Sequence, residues 1–390
     1  MTNTVEQVTT RRLALDETHR GAGAVMVERA GYSLPAGYGD AAAEYEAVRG
    51  GGGAGLIDLS ARGRVEVSGK DAVQFLNGLI TNDVKTLAAG AWMEAAFPNP
   101  QGRLLAHARV WRANESAPFL FDTEPATRAA VFKNLERFSP AGDFKVNDTT
   151  DRSAQLSVQG ARAARITSDA LGEDLSGLAR GRVAVVERRG DVVAVARATH
   201  TGEDGLDLVA GVDQARALWD ALVAAGARPV GQDALEVLRV EAGLARYGAD
   251  VDATNVVLEA GRDDAVSYTK GCYVGQEIIA RIHWRGHVAK RLAGLTPADE
   301  NGDDRAVTAL TPGAKIKTTD ATREIGRVTS VVFSPRLRKR IALGVVKYDF
   351  LAAGTEVLLE GEWGSCRAHV TELPFVRGGW YAEDAAEAKS

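Results

Sequence analysis

The run Lys270-Gly271-Cys272-Tyr273-Val274-Gly275-Gln276-Glu277 places one of the chain's two cysteines in a glycine-flanked turn beside a lysine. Ile278 to Arg281 continue with an apolar face at helical spacing, which sets Cys272 close to a helix N-terminus. A helix dipole and an ammonium each stabilise an anion by about 0.3 to 1 kcal/mol at a partly exposed site. Both therefore favour the thiolate, the nucleophilic and metal-binding form. A cysteine packed under the turn as a small apolar residue satisfies the same spacing, so the residues alone leave both readings open. Gln276 and Glu277 stand where they can cap the turn or bond to it directly.

Other polar groupings are less specific. Arg281, His283, Arg285, His287, Lys290 and Arg291 form one basic cluster, and Arg336, Arg338, Lys339 and Arg340 form another. Each could meet phosphates or carboxylates, or be a solvated edge. His283 and His287 have the i, i+4 spacing of a metal pair, but no acidic or cysteine ligand follows at a suitable distance, so no metal site is expected. Cys366 lies far from Cys272 with no CxxC spacing, which argues against a disulfide framework and against a zinc or cluster site. No role is assigned to it.

These groups must be held by a large fold. At 390 residues with 45% hydrophobic content, the chain can bury an extensive core and divide into two or three domains. Arg11-Arg12 is followed by charged residues rather than an apolar run, and no stretch is apolar enough to span a membrane, so a cytoplasmic protein is expected. A formal charge of -5 gives no general attraction to nucleic acid.

Val65-Glu66-Val67 alternates as a strand, Gly69 breaks it, and Ala72, Phe75, Leu76, Leu79 and Ile80 follow at helical spacing. Leu156-Ser157-Val158, Gly160 and the helix-like Ala161 to Leu171 repeat that order, predicting two related α+β lobes. Further helices are expected over Pro125 to Phe138 and Asp213 to Ala225. Val192 to Ala198 and Leu206 to Val209 pair as strands around the turn Thr201-Gly202-Glu203-Asp204-Gly205. From about residue 292, short β-rich runs separated by glycine, proline and aspartate predict a small β-barrel. The reading is thus an α+β fold: lobes over 20–150 and 151–291, then a barrel over 292–380. The first twenty residues and the tail from Glu383 are expected to fray, with Ala22 to Gly39 packing on the first lobe.

Gly55-Leu56-Ile57-Asp58-Leu59-Ser60, Leu79-Ile80-Thr81-Asn82-Asp83-Val84, Leu238-Arg239-Val240-Glu241-Ala242-Gly243-Leu244 and Leu373-Pro374-Phe375-Val376, in this order, resemble the glycine cleavage T-protein. The likeness runs from about residue 20 to 378. Two segments depart from it. Gly102-Arg103-Leu104-Leu105-Ala106-His107 stands where that family carries its catalytic aspartate, leaving Ala106 or His107 in its place. Lys270 to Glu277, with Asn99-Pro100-Gln101-Gly102-Arg103, resembles the signature of the YgfZ family of folate-binding proteins.

That resemblance implies a protein that binds tetrahydrofolate or a related reduced folate and supports assembly or repair of iron-sulfur enzymes, including tRNA-modifying ones. Its implied partners are the folate and iron-sulfur clients, with no stable nucleic-acid complex and no membrane. A folate-dependent aminomethyltransferase or demethylase is the alternative. By position, Glu203 is implied to accept the two parallel donors of the pterin edge, Arg239 to meet the glutamate tail, and Arg197 and His200 to complete the pocket. Cys272 and Lys270 are the implied reactive pair. His107 is either a substitute base or a packed strand histidine.

Overall fold

A computed structural model describes residues 10–298, 310–362 and 364–381. Beyond a small three-stranded sheet over residues 11–37, two largely antiparallel sheets carry residues 55–229, and they share one connectivity. In the first, the strand Gly63–Ser68 leads through Gly69 into the helix Ala72–Leu79, then into a meander of Ala91–Pro98, Leu104–Arg112 and Phe119–Thr123. The last meander strand returns to pair with Gly63–Ser68. In the second, Ser153–Gln159, Gly160 and the helix Ala163–Leu171 lead into Val183–Arg188, Asp191–Arg197 and Gly205–Gly211, and the last again pairs with the first. Both junction glycines take positive φ, +112° at Gly69 and +128° at Gly160, so the chain can reverse from strand to helix. The two related α+β lobes predicted by the repeat are present.

The strands that flank each unit are exchanged between the lobes. Gly55–Asp58, which precedes the first unit, pairs with Ser153–Gln159 of the second. Lys145–Asp148, which precedes the second unit, pairs with Gly63–Ser68 of the first. Cutting the chain at residue 150 would therefore assign Gly55–Asp58 to one lobe while it is hydrogen-bonded into the other.

Each sheet buries one face under its helices. Val65, Phe97, Val110, Phe121, Leu76 and Leu135 form one core, and Leu156, Val158, Val195, Leu208, Ile166 and Trp219 the other. Six strands, from Lys290–Pro297 to Gly364–Thr371, close the C-terminal barrel, whose core includes Cys366. The barrel begins two residues earlier than expected, because Lys290 and Arg291 hide the alternation of its first strand. The helix Gln232–Glu241 presents Val240 to barrel residues Leu292, Ile341 and Leu343, joining the barrel to the rest.

The expected fraying of the first twenty residues does not hold from Leu15 onward. Leu15 and His19 are 1% exposed, and His19 Nε2 lies 2.9 Å from Asp58 Oδ2 while its Nδ1 lies 2.8 Å from the Tyr38 hydroxyl. The tail from Glu383 lies outside the described residues. Among the described residues no helix is long and apolar enough to cross a membrane.

Candidate functional site

A cavity of about 1080 Å³ opens where the two sheets, the helix Gln232–Glu241, the barrel and the C-terminal segment meet. Ligand pockets commonly occupy roughly 300 to 1,000 Å³ and combine apolar walls with a few placed polar groups. Leu34, Trp92, Met93, Leu244, Tyr247 and Trp380 contribute apolar wall here. The polar part is a linked series of charges. Arg262 Nη2 lies 2.6 Å from Glu94 Oε1, which also meets Arg109 Nε at 3.1 Å. Arg109 Nη1 reaches Asp207 Oδ2 at 3.0 Å, and the same oxygen lies 2.8 Å from His200 Nε2. Asp207 is wholly buried, with Ser157 Oγ donating to its other oxygen at 2.6 Å.

Burial alone would raise these carboxylates. Glu94 is instead held at about 2 by Arg262 and Arg109, and Asp207 is lowered by His200 and Arg109. Across the wall, Arg62 bridges Asp122 and Glu124, and its charge keeps Glu124 below the usual carboxylate range despite burial. His107 is pushed down to about 4 by burial and by the nearby Arg262 guanidinium. Its Nε2 is buried without a hydrogen-bond partner, a deficit that typically costs about 1 to 3 kcal/mol. Ala106, by contrast, is fully buried in the core of the first sheet. Of the two residues at the displaced aspartate, only His107 lines the cavity.

The GCVT N-terminal domain family matches residues 15–270, and the glycine cleavage T-protein C-terminal barrel domain matches 290–377. The chain belongs to the glycine cleavage T-protein family. An aminomethyltransferase of Rubrobacter xylanophilus is 34% identical over 96% of both chains, and one of Geobacillus kaustophilus is 31% identical over 94% of this chain and 99% of its own. The crystal structure of the glycine cleavage system aminomethyltransferase T from Bartonella henselae superposes with a TM-score of 0.85 at 26% identity, covering 94% of this chain and 98% of that one.

Within this T-protein framework, the residues singled out in the sequence separate. His200 lines the cavity. Glu203 is not among its lining residues: Oε1 takes Arg49 Nη1 at 2.6 Å, and Oε2 accepts the Gly379 amide at 2.7 Å. Its carboxylate latches the C-terminal segment, where Trp380 N also donates to Gly202 O. Arg197 spends its guanidinium on Asp204, at 2.8 and 3.0 Å, and on Leu178 O, bracing the turn rather than facing the cavity.

Arg239 borders the cavity, yet all five of its N–H donors are taken. Two go to Glu236, one to Asp250 Oδ2 at 2.6 Å, one to Leu244 O at 3.0 Å and one to Ser330 Oγ at 2.7 Å. The structural ion pair with Asp250 is the outcome, and no donor remains for a ligand. Sequence reasoning missed Glu94, Arg109, Glu124 and Arg262. The available signal was a charged residue inside an otherwise apolar strand, as at Arg109 and Asp207.

The cysteine turn lies elsewhere. Cys272 is exposed, so it is not packed under the turn. The helix begins at Gln276, four residues on, after Gly275 at φ +78°. A Cβ on Gly275 would come 2.5 Å from Asn99 O, so the segments Lys270 to Glu277 and Asn99 to Arg103 are in direct contact. Gln276 Nε2 reaches Gly271 O at 3.5 Å, and Glu277 pairs with Arg281.

Lys270 is only 7% exposed, and its ammonium donates to Ile80 O at 2.9 Å and Asn82 O at 2.6 Å. It anchors the loop to the end of the helix Ala72–Leu79. His283 and His287 do not form a metal pair: the helix ends at Arg285, and the two rings stack on Tyr268 and Tyr348 with centroids 3.6 Å apart in each case. Among the described residues no group of three potential ligands could hold a metal.

Burial lowers Lys270 from 10.5 to about 8. Between those values the unfolded chain holds a proton that the folded chain has released, so this residue makes stability rise with pH from 8 to 10.5, by up to about 3 kcal/mol. Urea denaturation at pH 7.5 and 10 should show a rise that Lys270→Met lacks. Equal pH slopes in the two proteins would refute it.

Proposed function

We propose that this chain transfers one-carbon units from an amine donor to a reduced folate, taken as the acceptor substrate, in the central cavity. The observation that carries this reading is the cavity itself. It is large enough for a pterin and its side chain, with aromatic wall at Trp92, Tyr247 and Trp380 and with His107, Glu124 and His200 among its polar residues. Kinship with aminomethyltransferases along nearly the whole chain supports the reaction class. With Arg239 fully engaged, the anionic glutamate tail falls to Arg246, which borders the cavity and whose guanidinium pairs with Glu236.

Calorimetry with tetrahydrofolate tests this. Wild type should bind with about micromolar affinity, Arg246→Ala should weaken binding about tenfold or more, the scale of a charge-assisted hydrogen bond, and Glu203→Gln should change it less than threefold. Absence of binding by the wild type would sink the reading.

A second reading is favoured by the cysteine turn. An exposed Cys272, within the Lys270 to Glu277 segment that packs against Asn99 to Arg103 and takes no part in lining the cavity, fits support of iron-sulfur enzymes, with the folate as the bound cofactor. Cys272→Ser separates the two: one-carbon transfer survives it, whereas rescue of iron-sulfur enzyme activity in cells does not.

A further inference from the structure

The chain leaves the barrel at Thr371 and runs back to the cavity, where Trp380 and Tyr381 form part of the wall. Val376 is the last buried residue on this path, and its amide donates to Glu241 O at 3.0 Å. Beyond it Arg377 and Gly379 are exposed, while Gly378, Trp380 and Tyr381 are half-buried. A segment that lines a cavity from one side and meets solvent on the other is an outer wall. No strand of the described residues includes this one.

Polar contacts to its main chain hold the wall in place. Gly379 N donates to Glu203 Oε2 at 2.7 Å, Trp380 N to Gly202 O at 3.1 Å, and Arg180 Nη2 to Gly379 O at 3.3 Å. The Arg180 guanidinium also lies 4.6 Å from the centroid of the Trp380 ring, a cation–π distance. Arg49 fixes Glu203 from its other oxygen at 2.6 Å. Contacts at the surface of this kind open locally while the core stays folded. Gly378 and Gly379 separate the anchored Val376 from the aromatic pair and supply the backbone freedom such an opening needs. Gly378 also lets the segment settle closely, since a Cβ there would come 2.4 Å from Gly202 O and 2.5 Å from Glu203 Oε1.

We propose that residues 377–381 are a lid on the cavity, hinged at Gly378 and Gly379 and latched through the Gly379 amide on Glu203. The inference takes its ligand, a reduced folate, from the one-carbon reading above. Closed, the lid sets the rings of Trp380 and Tyr381 between the ligand and water. Open, it admits or releases the ligand. Glu203 is not among the lining residues, so weakening the latch speeds entry and departure alike and leaves the affinity nearly unchanged.

The test uses the full-length protein. Gly379→Pro removes the donor to Glu203 at the first position of the short helical turn Gly379–Tyr381, where proline is tolerated. Stopped-flow tryptophan fluorescence with tetrahydrofolate should show association and dissociation each about tenfold faster than in wild type, with Kd within threefold. Glu203→Gln keeps a neutral acceptor and should speed both by less. Hydrogen exchange at the Trp380 amide needs no ligand. In wild type it should be slower than in an unprotected peptide and faster than at Leu208 in the core, and Gly379→Pro should bring it close to the unprotected rate. Rate constants in Gly379→Pro within twofold of wild type overturn the lid, as does a wild-type Trp380 amide that is unprotected or as protected as Leu208, while folate binding leaves the cavity reading intact. A wild type that binds no tetrahydrofolate overturns that reading instead, and the exchange result then decides the lid alone.

Discussion

Replacing Arg239 with alanine is expected to lower stability by about 3 to 5 kcal/mol, the loss typical when one member of a buried ion pair is removed. The guanidinium is 6% exposed, and Asp250, its main partner, is 2% exposed. Asp250 Oδ1 also accepts from Thr329 Oγ1 at 2.6 Å and Ser330 Oγ at 2.7 Å, both on a barrel strand. Arg239 itself sits on the helix Gln232–Glu241, so the lost interactions join that helix to the barrel. The alanine variant leaves Asp250 charged, buried and short of its cation. Urea unfolding followed by far-UV circular dichroism measures the loss. A change below about 1 kcal/mol would mean that the network is dispensable and that Arg239 is free to serve a ligand.

Gly69→Ala should destabilise by more than about 4 kcal/mol, and Gly160→Ala by less, roughly 2 to 3. Both glycines occupy a backbone region that an alanine enters only with strain. Surroundings separate them. A Cβ on Gly69 would lie 2.0 Å from Asp143 O, a backbone atom fixed by the Asp71 amide at 3.2 Å and by the Asp143 amide's own bond to Asp71 Oδ2 at 2.9 Å. At Gly160 the nearest atoms, Gly53 O at 2.9 Å and Ala54 Cα and Val48 O at 3.1 Å, are also main chain, but they need give far less than Asp143 O. Denaturation midpoints of the two variants decide the order. A larger loss at Gly160 would contradict the argument.

The strand, glycine and helix units were legible because each is local: alternation, a conformational break and helical spacing all lie within twenty residues. The barrel was legible from its punctuation, while His200 was singled out only through the family resemblance. The cavity charges were not, because their partners are remote in sequence. Arg109 meets Asp207, and Arg262 meets Glu94, across different elements, and no local pattern announces such pairs. Lys270 misled for a related reason. Its acceptors are two main-chain carbonyls, Ile80 O and Asn82 O, which have no signature in the sequence at all. Glu203 and Arg239 were found as polar residues at important places, but the groups that absorb their polar capacity, the Gly379 amide and Asp250, come from segments whose approach only the folded chain defines.

The exchanged flanking strands bear on ancestry. If a shorter chain comprising one flanking strand, one strand-glycine-helix unit and one meander formed a homodimer by lending its flanking strand to its twin, joining the two copies end to end would give the connectivity seen here. In such a pair the central chamber would belong to the dimer rather than to either copy. Fusion would have freed its two sides to diverge, with His107 and Arg109 on one sheet and His200 beside the other.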